Sequence, residues 1–205
     1  METELNTPPE SPKQRSFIRE ALAYVGELVR VVVISLAIIL PVRYFLVQPF
    51  YVKGASMEPN FYDHEYLVID EISFRFREPK RGEIVVFRYP RDPSQFFIKR
   101  VVGLPGETIE IKNEELRIKS DEYREGIGLE ETYLDQDMRW YGEHAVTLKE
   151  DEYYILGDNR DSSLDSRQFG PISRELIVGR VWLRGWPLDR ITRFMAPIYE
   201  ISSTP

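Results

Sequence analysis

The sequence predicts a mainly β protein in which a single N-terminal transmembrane helix leads into an all-β domain of many short strands. Three observations point there. An uncharged run, VVVISLAIILPV, covers residues 31–42. Beyond it the apolar period shortens from helical to alternating, in short Val-, Ile-, Phe- and Tyr-rich segments separated by turn residues. Hydrophobic residues make up 42% and aromatics 13% of the 205 residues, enough for one medium-sized core and too much for global disorder.

Residues 1–15 are polar, with Pro8, Pro9 and Pro12, and read as disordered; 1–24 as a whole read as a tail. A helical pattern begins near Ser16. The uncharged run alone is too short for about 30 Å of hydrocarbon, which takes about 20 helical residues. Leu28–Val47 supplies them, with Arg30 and Arg43 near the ends, where long cationic stems can snorkel, so the anchor is drawn at 25–47. Pro41 is a candidate kink. A buried helix of a soluble protein and a cleaved signal peptide are the alternatives; Arg43 and the long polar lead weigh against the second. Lys13, Arg15, Arg19 and Arg30 precede the core, against Arg43 and Lys53 after it. That bias favours a cytoplasmic N-terminus and places 48–205 on the far side.

Strands are expected at Tyr66–Ile72, Glu83–Tyr89, Phe96–Val102, Thr108–Lys112 and Leu116–Lys119, with Asn113-Glu114-Glu115 as a hairpin turn and Gly103–Gly106 as another. Residues 120–148 are acidic and irregular, include Trp140 and Tyr141, and read as an insertion or lobe. Tyr153–Leu156 and Leu176–Leu183 add two strands before a mixed tail from Trp186-Pro187.

Composition removes several kinds of chemistry. A net charge of −7 and the absence of any nucleic-acid-binding motif argue against nucleic acid as a partner. The absence of cysteine excludes thiol catalysis, thiolate metal sites and disulfides. The two histidines, His64 and His144, lack a second histidine at metal-ligand spacing, and no cofactor motif is seen, so neither a metal nor a cofactor is expected. Hydrolysis would need a base other than imidazole.

Three stretches carry the remaining possibilities. In Gly54-Ala55-Ser56-Met57-Glu58-Pro59, two small residues open the approach to a serine hydroxyl and a proline stiffens the exit. Such a serine is the tip of a turn or a nucleophile. Lys99 lies in Phe96-Phe97-Ile98-Lys99-Arg100-Val101-Val102, where strand alternation puts it on one face with Phe97 and Val101. On a buried apolar face its ammonium is disfavoured and the amine can serve as a base; on an edge it snorkels into water. The polar segment Gly157–Arg167, GDNRDSSLDSR, reads either as a surface loop of Asx-turns or as a scaffold that orients a catalytic group.

Taken in order behind an apolar anchor, these stretches resemble the type I signal peptidases. Ser56–Pro59 resembles the nucleophile box, and Arg81–Phe87 the RGD-IVVF strand with Glu83 where Asp is usual. Lys99–Glu107 resembles the general-base box, and Gly157–Arg167 the GDN-D-S-DSR box. The resemblance implies an all-β signal-peptidase-like catalytic domain and a membrane serine endopeptidase acting on exported preproteins. It implies Ser56 as nucleophile, Lys99 as general base, and Ser163 as a hydroxyl that hydrogen-bonds and orients the lysine. Arg100, Asp158, Arg160, Asp165 and Arg167 would form a buried polar scaffold. Some members place a serine hydroxyl as second oxyanion donor where this chain has Gly54, which leaves that donor open. Phe50, Val52, Met57 and Ile98 flank the dyad and are expected to line shallow subsites for small residues. A substrate strand would add to the edges Phe50–Gly54 and Phe97–Val101. The implied partners are signal peptides and the lipid bilayer, with the chain monomeric in a cell (inner) or thylakoid membrane. A soluble Ser-Lys self-cleaving repressor-type protease and a catalytically silent membrane-anchored β module are the rival readings.

Overall fold

The computed structural model describes residues 12–41, 48–112, 115–134, 143–197, 199 and 201–202. The chain divides into two compact units, Met1–Tyr44 and Phe45–Pro205.

The first unit is helix α1, Pro12–Pro41. It starts inside the segment expected to be a tail, and it ends on Pro41. Its Arg19–Leu40 stretch has 22 residues, including an 18-residue window of mean hydropathy 2.2 with no buried part. At 1.5 Å per residue it is about 33 Å long, sufficient to cross a bilayer core. The core helix of a soluble protein is mostly buried; none of this window is. The last residues of the expected anchor, 42–47, lie outside the described residues.

The second unit is built from two antiparallel sheets. Its strands are β1 (Gln48–Tyr51), β2 (Tyr66–Asp70), β3 (Ile84–Tyr89), β4 (Asp92–Gly103), β5 (Thr108–Lys112), β6 (Glu115–Lys119) and β7 (Ile127–Leu129). They continue with β8 (His144–Thr147), β9 (Glu152–Leu156), β10 (Ile172–Ser173), β11 (Ile177–Trp186), β12 (Thr192–Arg193) and β13 (Ile201–Ser202). The larger sheet runs β1-β2-β11-β3-β4-β9-β10, with β12 on β11; the smaller runs β13-β7-β6-β5-β8.

Alternation explains the layering. In β3, Ile84 and Val86 enter one core with Leu67, Ile69 and Met57, while Val85 and Phe87 enter another with Val101, Tyr153 and Ile155. Both faces of β3 are covered, which is why it reads as an unbroken apolar run. In β9 the same alternation sends Tyr154 and Leu156 into a third core, shared with Ile109, Ile111, Leu116 and Ile118 of the small sheet.

The expected strands are present within a few residues. Residues 120–148 differ from expectation: their described parts carry β7 and β8, which complete the small sheet rather than forming an appendage. Asn113, Glu114, Trp140 and Tyr141 lie outside the described residues.

Candidate active site

The loop after β1 presents Ser56 and is pinned on two sides. On one side the Val52 N–H donates to the Glu65 carbonyl (2.9 Å) and the His64 N–H donates to the Val52 carbonyl (3.1 Å). On the other, the Asn159 N–H donates to the Ser56 carbonyl (3.1 Å) and its side-chain amide to the Ala55 carbonyl (3.1 Å). Gly54 takes φ 85°, in the left-handed region that favours glycine. Its N–H donates to Asp63 Oδ1 at 3.0 Å.

Lys99 enters from β4, whose register sets it opposite Val85 of β3. Its side chain is buried, at 3% exposure. Nζ lies 2.7 Å from Ser56 Oγ and donates to the Ile98 carbonyl at 2.8 Å. Burial lowers its pKa from 10.5 to about 8; the carboxylates of Asp165 and Asp158 oppose the shift and Arg167 assists it. Half of the amine is therefore neutral near pH 8, with its lone pair available to the serine proton.

The next residue points into the scaffold. Arg100 grips Asp158 through Nε–Oδ1 (2.8 Å) and Nη2–Oδ2 (2.6 Å), and its Nη1 donates to the Gly82 carbonyl (2.9 Å). Asp158 also accepts from Asn60 Nδ2 (2.8 Å), while the Arg100 guanidinium stacks 3.9 Å from the Tyr133 ring centre. Arg160 binds Glu131 with both terminal nitrogens, at 2.6 and 2.5 Å, and donates from Nε to the Gly157 carbonyl. Asp165 accepts from the Gly157 N–H (3.1 Å) and from Arg167 Nε and Nη2 (both 2.8 Å), and caps the short helix α2, Ser166–Phe169. The five scaffold residues of the sequence reading are thus brought together around Gly157, where a side chain has no room. A carbon there would lie 2.1 Å from Ser163 Oγ and 2.5 Å from the Ser56 carbonyl oxygen.

Two expected roles are not met. Ser163 is buried beside Gly157, but among the described residues its hydroxyl makes no hydrogen bond; the lysine is held by the Ile98 carbonyl instead. Met57 does not line the groove. At 1% exposure it packs with Phe61, Leu67 and Ile69, because the turn that turns Ser56 outward turns its neighbour into the core. Phe50, Val52 and Ile98 do line the groove, which Ser56 and Lys99 also line and which has a volume of about 240 Å³. Leu67 and Val86, which strand pairing sets opposite Phe50 and Ile98, and Leu164, from the loop before α2, also line it and are not suggested by proximity in sequence. Asn159, Glu131 and Asp63 were likewise given no role by sequence reasoning. Only the folded contacts show them.

Residues 25–186 match the profile of the signal peptidase family, peptidase S26. The chain belongs to that family. It is 34% identical over 189 residues to a probable signal peptidase I-2 of Synechocystis sp., spanning 89% of this chain and 79% of that one. It is 33% identical over 205 residues to a signal peptidase I of Leptolyngbya laminosa (93% of each chain). It is 34% identical over 167 residues to signal peptidase I P of Bacillus subtilis subsp. natto (80% of this chain, 90% of that one). The crystal structure of a signal peptidase I from Enterococcus faecalis overlaps 51% of this chain and 97% of that one, with 30% identity and a TM-score of 0.43. This signal peptidase I homologue is thus a serine peptidase by family, with an N-terminal apolar helix long enough to anchor it.

Proposed function

We propose that the protein is a membrane-anchored endopeptidase that removes N-terminal signal peptides from exported preproteins through a Ser56–Lys99 dyad. The observation that carries the reading is the 2.7 Å separation of Lys99 Nζ from Ser56 Oγ, with the buried lysine lining an apolar groove.

The Ile98 carbonyl accepts one N–H of the neutral amine and so helps aim the lone pair at Ser56. As Ser56 Oγ attacks the scissile carbonyl carbon, its proton passes to Lys99 Nζ, and the carbonyl π electrons move to oxygen. The Ser56 N–H supplies one donor to that oxyanion, an interaction that contributes about 3 kcal/mol in comparable sites. Collapse breaks the C–N bond, the Lys99 ammonium protonates the leaving amine, and the mature protein departs. Lys99, neutral again, takes a proton from water as it attacks the ester, and returns that proton to Ser56 on release of the signal peptide. We assign Arg100, Asp158, Arg160, Asp165 and Arg167 as the scaffold that fixes Lys99 against Ser56.

The substrate would lie extended against β1 and β4, with small side chains toward Phe50, Val52 and Ile98. The Lys and Arg bias before the apolar helix supports a cytoplasmic N-terminus and an extracytoplasmic β domain in a cell or thylakoid membrane. The anchor would hold the groove beside a substrate whose own apolar segment is embedded in the same bilayer. The chain acts as a monomer in this reading, with the preprotein and lipid as its partners and no role for nucleic acid.

The test is cleavage of a purified preprotein by the detergent-solubilised full chain, compared with Ser56→Ala and Lys99→Ala. Wild type should release mature protein, and each variant should lose activity by at least about a thousandfold. An intact preprotein with wild type, or full activity in either variant, contradicts the reading; the first result would favour a silent binding module.

A further inference from the structure

Besides Asn159, the loop that carries Ser56 is held by a side chain that belongs to none of the scaffold described above. Asp63 lies in the turn before β2 and directs Oδ1 at the Gly54 N–H, 3.0 Å away, two residues before the nucleophile. Its other oxygen lies 2.8 Å from His64 Nδ1. His64 holds φ 70°, the one described non-glycine residue with positive φ, and its N–H bonds the Val52 carbonyl. The turn at Asp63-His64, with both side chains exposed to solvent, is the edge to which Val52 and Gly54 are hydrogen-bonded. Gly54, at φ 85°, can open in other directions unless something fixes its amide. Nothing within 4 Å fills the space where its side chain would be, so packing does not fix it.

We propose that Asp63 is a positioning residue for the reaction: its carboxylate fixes the Gly54 amide and through it the aim of Ser56, and the Gly54 N–H is consequently not an oxyanion donor. The inference rests on the Ser56–Lys99 reading. It has a physical reason. A backbone N–H bonded to an ionised carboxylate forms one of the stronger hydrogen bonds, and a developing oxyanion would have to displace it next to another negative charge. The two roles are mutually exclusive for one N–H. If Gly54 served the oxyanion, Asp63 would inhibit the reaction and its removal would free a donor. If Gly54 serves the loop, removal of Asp63 loosens Ser56 and slows the chemical step.

The two roles predict opposite signs for Asp63→Ala. We expect kcat to fall about tenfold or more while KM stays within about twofold, because substrate binding lies along β1 and β4 and the lost contact affects only the nucleophile's aim. Asp63→Asn keeps an oxygen acceptor for the Gly54 N–H and should recover most of kcat. A purely structural role would instead lower the melting temperature and leave the kcat of the folded fraction unchanged. Backbone amide exchange at Gly54, read by NMR on the full chain in micelles, gives an answer independent of cleavage. It should be protected in wild type and in Asp63→Asn and should accelerate at least about tenfold in Asp63→Ala. A rise or no change in kcat for Asp63→Ala, or an unprotected Gly54 amide in wild type, overturns the proposal. Wild type that leaves preprotein intact overturns the dyad reading and the kinetic role with it, whereas Gly54 exchange still decides whether Asp63 holds the loop.

Discussion

Lys99 puts an amine where an ammonium is poorly solvated, with one carbonyl and one hydroxyl as its hydrogen-bond partners. Burial and activation are the same physical fact, and two measurable consequences follow from its sign. The pKa falls from 10.5 in the unfolded chain to about 8 in the folded one, so between those values the unfolded chain binds more protons. This group therefore adds stability as pH rises from about 8 toward 10.5 and withholds it below about 8, by about 3 kcal/mol at the limits. Lys99→Met keeps the volume without the charge, and should be inactive yet more stable than wild type at pH 7, by about 1–3 kcal/mol in urea denaturation. Activity has the same direction, because the neutral amine is the base. The kcat/KM should rise with pH through a midpoint near 8; a midpoint near 10 would mean an exposed lysine. At this scale the sequence was informative where alternation applies. Lys99 could be placed on a face with Phe97 and Val101, although periodicity alone could not say whether that face was covered. Met57 was misplaced because it lies in a loop, where no period reports the direction of a side chain, and its burial is decided by Phe61 and Leu67.

At the scale of elements, β4 is the strand that joins everything. One residue faces Ser56, the next is tied to Asp158, and Val101 and Val102 enter two different cores. The Arg100–Asp158 pair is almost wholly buried, so its worth lies less in net stability than in the cost of breaking it. Arg100→Met would leave Asp158 charged and dry apart from Asn60, and should destabilise the β unit by about 3–5 kcal/mol. Arg100→Met with Asp158→Leu should recover much of that loss in thermal melting, while activity stays low because the box carrying Asn159 and Ser163 has lost its side-chain tie to β4 and keeps only the β4–β9 pairing behind it. Restored activity in the double variant would show that the tie has no part in catalysis. The strands with clear alternation and Val, Ile or Tyr content were legible: β2, β3, β4, β5, β6, β9 and β11. The ones that were not, such as β1, β7, β8 and β10, span two to four residues each, too short for a period to register. Their pairing partners, not their own residues, make them strands.

For the molecule as a whole, the apolar helix and the β unit have separate reasons to exist. Among the described residues, the three cores of the β unit are built from side chains between Phe50 and Phe194. A chain lacking residues 1–44 should fold, retain cleavage of a short soluble peptide spanning a processing site within about threefold, and lose about tenfold or more on a preprotein in vesicles. Equal losses on both substrates would show that the helix supports the site itself. The order of the sequence boxes behind an apolar run was sufficient to indicate the family, because each box has a distinct place in the site. The partners of those boxes, Glu131 for Arg160 and Asp63 for Gly54, were not legible, since neither belongs to a pattern and both are brought in by chain crossings of 29 and 9 residues. The claim on which the rest depends is that Ser56, activated by Lys99, becomes esterified to the signal peptide. Acid-quenched mixing of the full chain with excess preprotein, followed by intact-mass spectrometry and peptide mapping, reads this directly. A transient adduct with the mass of the signal peptide should appear on Ser56 and be absent from Ser56→Ala and Lys99→Ala. Cleavage by wild type with no adduct at any quench time under conditions that slow deacylation, or an adduct on another residue, would contradict it.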